Sequence, residues 1–449
     1  MGRFTHRLGL LLCLSTATTP VLADDLVSIL DLAMRNDPTL RQADAQYQSR
    51  RTLLDQGRAV LLPNIALQGS TTRQTFGPAG DMSFRPGQNS HGYRLNINQA
   101  LFNMSAWYTY QSAKLQDQAG AISYAAQEQN LIIRVATAYF NVLRAMDDLE
   151  TSVQEEQAAE RQFEQTRQRE EVGLIAITEV YESQAAYDLA RNNTIIAEDT
   201  LASAFEALEA ITGQPHPNVE VLREDFPVVN AEGTNESWTE QALNGNLALI
   251  AARYNLEAQQ ENLKARKSDH LPTVSLTGGF NHNVTAGGQG ADGGLRSTGA
   301  IDGTTLSLNI NIPLYAGGGT TARRRAAEYD VVAQQEQVSL TRRQTTQDAR
   351  NAYRRVNTDA LVVSQRQQAI TSAQSALEAI EVGYEVGTRN IVDVLQARQQ
   401  LFVALRNYSD ARYNYVLDTL RLKQVTGLLS PQDILELNEW LEEEPATAP

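Results

Sequence analysis

Along residues 93–101 apolar and polar side chains alternate. Tyr93, Leu95, Ile97, Gln99 and Leu101 fall on one side, and Arg94, Asn96 and Asn98 on the other. Residues 306–314 repeat the pattern, with Leu306, Leu308, Ile310, Ile312 and Leu314 opposed by Ser307, Asn309 and Asn311. Weaker alternation precedes each, at Ile65 and Leu67 and at Val274, Leu276 and Phe280. Period two predicts strands with one apolar face. About ten residues of apolar-out, polar-in alternation suit a strand that spans a membrane. A half-buried soluble sheet gives the same alternation, so the strands alone leave both readings open. The stretches 77–90 and 286–303 are rich in Gly, Ser and Asp and predict long hairpin loops.

The period then changes. From 105 to about 171 there is no proline, and Ala, Gln, Glu, Leu and Arg dominate, all favourable in helices. At 1.5 Å per residue such a helix is about 100 Å long. Residues 320–385 predict a second rod of the same length. Leu131, Val135, Ala138 and Val142 recur at steps of three and four, a stripe for packing against another helix. Helices this long belong to coiled coils and tubes rather than to globular domains.

The chain also repeats itself. Leu62-Pro63 returns as Leu271-Pro272, and 95–102 returns as 308–315. Val172-Gly173 returns as Val386-Gly387, and Thr212-Gly213 as Thr426-Gly427. The order is kept, and the offset drifts by only a few residues, mostly in the Gly-rich loops, where insertions are tolerated. Each half reads as a helical stretch, two strands, a very long helix, a break at Val-Gly, and a further helix. Four strands cannot close a barrel, because closed membrane barrels begin at about eight and an open edge in lipid leaves unsatisfied backbone groups. If the strands cross a membrane, copies of the chain must share one ring. Two copies fill the interior with side chains, so a conducting pore favours three or more, in cyclic symmetry.

Several stretches together resemble the TolC family of outer-membrane efflux and secretion channels. They are Leu62-Pro63, the run Ala136-Thr137-Ala138-Tyr139-Phe140-Asn141-Val142-Leu143, and residues 172–178 in the first half. In the second half they are Asp269-His270-Leu271-Pro272 and residues 386–395. The resemblance covers about residues 26–437. It implies a mainly α chain with a small transmembrane β part: a trimeric channel-tunnel with four strands per subunit, a shared twelve-stranded barrel and a long α-helical coiled-coil tunnel. It divides the chain into a first repeat at 24–213, a connecting equatorial segment at 214–237, a second repeat at 238–427, and a C-terminal equatorial segment and tail at 428–449. The implied function is an exit duct for drug efflux or type I protein secretion. The implied partners are two further copies, a periplasmic adaptor, an inner-membrane transporter of RND or ABC type, and outer-membrane lipid.

The same resemblance assigns roles at the tips of the helical hairpins. Gln168, Thr178, Glu179, Tyr384 and Arg389 would form a closing network, with Glu179 where the family pattern has aspartate. Asp393 would project into the narrowest part of the tunnel, and threefold symmetry would make a ring of carboxylates. The family pattern has a second aspartate one helical turn later, but Gln396 stands there. Val172, Gly173, Leu174, Val386, Gly387 and Thr388 would meet the adaptor or transporter.

Composition fixes the compartment and removes other functions. Arg3 and Arg7, a short apolar run at 8–14 and Val21-Leu22-Ala23 read as a secretory leader ending at Ala23. The only cysteine, Cys13, lies inside that run, so the mature chain is expected to carry no disulfide and no thiolate. A formal charge of −15, from 53 acidic and 38 basic residues, disfavours nucleic acid. The histidines lack metal-ligand spacing, and Gly317-Gly318-Gly319 lacks the Lys-Ser/Thr of a phosphate loop. The chain therefore reads as no enzyme and as needing no cofactor. The remaining rival is a periplasmic coiled-coil adaptor or scaffold without a pore. It accounts for the rods but not for four symmetrically placed strands.

Overall fold

The computed structural model describes residues 24–74, 88–286 and 299–442. The leader, the middles of both hairpin loops and the acidic tail from 443 onward lie outside them. In chain order the elements are α1 (Leu26–Asn36), α2 (Pro38–Ala59), β1 (Asn64–Gln74), β2 (Gln88–Phe102), α3 (Met104–Glu171), α4 (Ile177–Thr212) and β3 (Val221–Leu222). There follow α5 (Asn235–Gly245), α6 (Leu247–Ser268), β4 (Thr273–Ala286), β5 (Gly299–Asn311), α7 (Gly319–Glu385), α8 (Ile391–Val425), α9 (Pro431–Asn438) and β6 (Leu441–Glu442). The order α1-α2-β1-β2-α3-α4 returns as α5-α6-β4-β5-α7-α8, so the duplication is built into the fold.

The helical stretch before each Leu-Pro is two helices rather than one. Asp37 and Asn246 break it by the same device. Each residue ends one helix and caps the next, Asp37 accepting from the Leu40 N–H at 2.7 Å and Asn246 from the Leu249 N–H at 3.0 Å. At the second break the chain runs so close to the end of α8 that a Cβ on Gly245 would lie 2.3 Å from the Thr426 carbonyl.

The four long strands form one antiparallel sheet in the order β1-β2-β4-β5. Register places Ile65 beside Ile97, Leu67 beside Leu95, Leu95 beside Phe280, and Leu276 beside Leu308. Directly opposed residues share a face, so these side chains make one continuous apolar surface. That surface is uncovered: Leu67, Leu306 and Ile310 are 71%, 76% and 62% exposed. The other face carries Asn64, Asn98, Thr277 and Ser307 in one row. The strands are longer than the alternation suggests. Ser90 pairs with Thr285 and Gly303 with Asn281, because backbone groups continue the ladder where side chains have turned polar. The outer edges of β1 and β5 have no partner among the described residues.

Below the sheet, α3 packs along α2, α4 and α6, and α7 along α6 and α8. Most buried side chains in these contacts are small, such as Ala113, Ala119, Ala159, Ala190, Ala258 and Ala397. Small residues let helix axes approach closely. The large apolar core sits at mid-height of α3 and contains Leu26, Ile29, Leu131, Val135, Tyr139, Phe140, Leu143, Val356, Leu417 and Ile434. Each such side chain contributes about 1.5–3 kcal/mol by leaving water, which fixes the middle of the rods more firmly than their ends.

Segment 214–237 straps this core from outside. Tyr139 donates to the Glu220 carbonyl at 2.7 Å and Tyr415 to the Val229 carbonyl at 2.8 Å. The end of the chain closes onto the strap, β6 pairing with β3 while Trp440 meets Phe226 edge-on at 5.9 Å.

Between α7 and α8 two carboxyl groups face each other. Burial, together with the neighbouring Asp418 carboxylate, pushes Asp359 up to about 6; Arg355, one turn away, opposes the shift. Asp418 in turn holds Arg421 at 2.9 Å. A carboxyl whose folded pKa is raised binds more protons folded than unfolded. Its contribution to stability is full below about pH 4 and is lost as pH rises through about 6. Asp359→Asn is therefore expected to raise the melting temperature at pH 7.5 and to flatten its slope between pH 4 and 7. A melting curve whose pH dependence is unchanged refutes the raised pKa of Asp359.

Candidate functional site: the hairpin tips

The two helical hairpins end in the same turn. After α3, the Gly173 N–H donates to the Glu170 carbonyl at 2.7 Å and the Leu174 N–H to the Arg169 carbonyl at 2.9 Å. After α7, the Gly387 N–H donates to the Tyr384 carbonyl at 3.0 Å and the Thr388 N–H to the Gly383 carbonyl at 2.8 Å. Both are glycine-terminated helix ends of the Schellman type, and both need a left-handed residue, with φ +73° at Gly173 and +79° at Gly387. The turns leave Val172, Leu174 and Val386 70%, 74% and 69% exposed, while the Thr388 hydroxyl is held by the Gly383 carbonyl at 3.0 Å.

The helices that follow start differently. Asn390 caps α8 with a reciprocal box: its side chain accepts from the Asp393 N–H at 2.9 Å, and the Asp393 carboxylate accepts from the Asn390 N–H at 3.5 Å. At α4 the capping residue is Ala176, which has no side-chain oxygen. Glu179 lies in the first turn of α4, where a negative charge complements the helix dipole.

The tips meet through Tyr384, whose hydroxyl donates to the Glu179 carboxylate at 3.0 Å. Arg169, from the last turn of α3, stands over the Tyr384 ring at 5.6 Å. Burial pushes the Tyr384 hydroxyl above its usual pKa, and the Glu179 carboxylate pushes it further, against the pull of Arg169. The group therefore stays a donor throughout the physiological range. A tyrosine from one hairpin, a carboxylate from the other and a guanidinium above the ring make a small polar latch between the two.

Not every expected residue joins it. Arg389 stays within its own tip, with its guanidinium 3.8 Å from Asp393 and its stem filling the space left by Gly383. Gln168, Thr178 and Gln396 are exposed. Asp393 is half-buried, between its cap and Arg389. Arg169 was not among the sequence candidates, since nothing in its spacing separates it from Arg161 or Arg167. Among the described residues no group of three or more His, Cys, Asp or Glu side chains could hold a metal ion. No helix among them is long and apolar enough to cross a membrane.

The family model described as outer membrane efflux protein matches residues 29–214 and again 238–428, one match per repeat. The outer membrane protein TolC of Vibrio cholerae is 36% identical over 432 residues, covering 95% of this chain and 96% of that protein. The alkaline protease secretion protein AprF of Pseudomonas aeruginosa is 25% identical, covering 90% of this chain and 84% of its own length. Among solved structures, the outer membrane protein VceC of Vibrio cholerae superposes with a TM-score of 0.74 at 19% identity, covering 90% of this chain and 96% of that one.

Proposed function

The chain belongs to the outer membrane efflux protein family, and from that premise we propose that three copies close one twelve-stranded barrel in the outer membrane. The barrel continues as a helical tunnel into the periplasm, and the assembly is the exit duct for drug efflux and type I protein secretion. The observation that carries this reading is the sheet. It has four strands, two edges without a partner among the described residues and an exposed apolar face. Strands β1 and β5 run in opposite directions, so the β5 edge of one copy can pair antiparallel with the β1 edge of the next. Three copies leave a lumen, lined by the polar row of Asn64, Asn98, Thr277 and Ser307.

The tips are the periplasmic end. Tyr384, Glu179 and Arg169 hold it closed, with Arg389, Gln168 and Thr178 placed to engage the neighbouring subunit. Asp393 forms the charged constriction, with Gln396 neutral one turn above. Val172, Gly173, Leu174, Val386, Gly387 and Thr388 offer apolar side chains and bare turns to a periplasmic adaptor and, through it, an inner-membrane transporter of RND or ABC type. Segment 214–237 and the described part, 428–442, of the C-terminal segment 428–449 belt the tunnel at mid-height. A poreless periplasmic scaffold is the weaker reading, because it would leave the apolar sheet face in water.

The test is cellular and biochemical. The chain is expected in the outer-membrane fraction as a trimer that dissociates only on heating. Its deletion is expected to sensitise cells to drugs or to remove proteins from the medium. A monomer in the soluble periplasmic fraction overturns the duct.

A further inference from the structure

Contacts inside the first hairpin and contacts from it to the second differ in chemistry. Inside the first hairpin, α3 and α4 meet through small or neutral groups. The Thr166 and Ser183 hydroxyls lie 2.6 Å apart, Phe163 stacks on Tyr187 at 6.2 Å, and Thr194 donates to the Ser152 carbonyl at 3.3 Å. Toward the tips, where α8 of the second hairpin runs against α3 of the first, two arginines reach across. Arg398 donates to the Ala158 carbonyl of α3 at 3.0 Å and to Glu381 of α7 at 2.6 Å. Arg406 pairs with Glu155 at 2.5 Å and Asp148 at 3.3 Å, both on α3. These guanidinium side chains are mostly buried, at 16% and 25% exposure.

We infer that Arg398 and Arg406 form a second clamp above the tips, holding α8 of the second hairpin against α3 of the first. At 1.5 Å per residue they sit about 10 and 22 Å up α8 from its first residue, well above the Tyr384 latch. Arg398 is the pivot, because one planar guanidinium engages two helices besides its own. Guanidinium contacts of this kind can part and be taken up by water, whereas the neutral packing inside the first hairpin and the Arg398–Glu381 pair inside the second stay within their own hairpins. Opening of the tunnel is thus a two-stage event, with the tip released first and the arginine seam second, and the second stage responds to ionic strength. The inference rests on the duct reading and its closed tips.

Single-channel conductance in planar bilayers tests it. Purified trimers of wild type, Arg398→Gln with Arg406→Gln, Arg398→Lys with Arg406→Lys, and a tip variant, Tyr384→Phe with Arg389→Ser, are compared from low to high KCl. The expected result is at least a twofold rise for the Gln pair alone and a further rise when it is joined to the tip variant. Wild-type conductance should grow faster with salt than bulk conductivity, and the Gln pair should follow bulk conductivity. The Lys pair, which keeps charge but loses the planar fork, should fall between wild type and the Gln pair, and heat-dissociable trimers on a gel confirm that each variant assembles. If the tip variant opens but the Gln pair matches wild type at every salt concentration, the clamp is overturned and the duct stands. If the Lys pair opens as far as the Gln pair, charge is not what closes the seam, and the clamp is likewise overturned. If no protein conducts at all, the duct reading itself fails.

Discussion

In the proposed trimer, Tyr384→Phe with Arg389→Ser is expected to raise conductance several-fold over wild type in planar bilayers. Tyr384 makes the hydrogen bond that joins one tip to the other, ending on the Glu179 carboxylate at 3.0 Å. A bond to a charged group is worth about 1.5–3 kcal/mol, and partial exposure at the tip places this one near the lower figure. About 1.4 kcal/mol is tenfold in the ratio of closed to open forms. Phenylalanine keeps the ring and its stacking under Arg169, so the hydroxyl alone is removed. Arg389→Ser adds the loss of the side chain that spans Gly383 and approaches Asp393 at 3.8 Å. Wild-type conductance in this variant refutes the latch.

Asp393→Ala is expected to lower the preference for cations several-fold. In the proposed threefold duct each ion passing the constriction would meet three copies of this carboxylate. In water each unit charge about 10 Å away contributes about 0.4 kcal/mol, so three together give roughly 1.2 kcal/mol before salt screening. With Gln396 one turn on, no second ring adds to it. Arg389, at 3.8 Å, already offsets part of the charge, so Arg389→Ala should shift selectivity the other way. Asp393 also completes the cap of α8, and Asp393→Asn separates the two roles by keeping side-chain size while removing charge. Reversal potentials across a KCl gradient decide the matter: values unchanged in both Asp393 variants place the carboxylate away from the ion path.

The sequence carried the architecture at the level of periodicity. Alternation marks all four strands because each has one side that prefers oil, but it fades at Ser90 and Gly303, where the ladder runs on through polar residues. The stripe of Leu131, Val135, Ala138 and Val142 lies buried in the core, as a period near 3.6 demands. Glycines 173 and 387 stand out in sequence because few other residues accept a left-handed turn. The Tyr384–Glu179 contact is different. Its partners are 205 positions apart, and only the packing of two hairpins brings them together. A family resemblance could suggest that contact, whereas no spacing rule could. Arg169, Arg398 and Arg406 were invisible for the same reason. On a long polar helix the sequence does not say which arginine faces solvent and which faces a neighbouring helix.

The pairing of Val221–Leu222 with Leu441–Glu442 also sets an order of events. These strands are about 220 residues apart, so the strap around the core is fastened only when nearly the whole chain is present. Pairing over that separation is slow to form, because the intervening loop must close before the contact repays it. The hairpins rely on local contacts and can coil as they emerge, while the waist waits for residues 441–442. A copy without residues 441–442 leaves the strap unfastened at the level where three copies would be belted together.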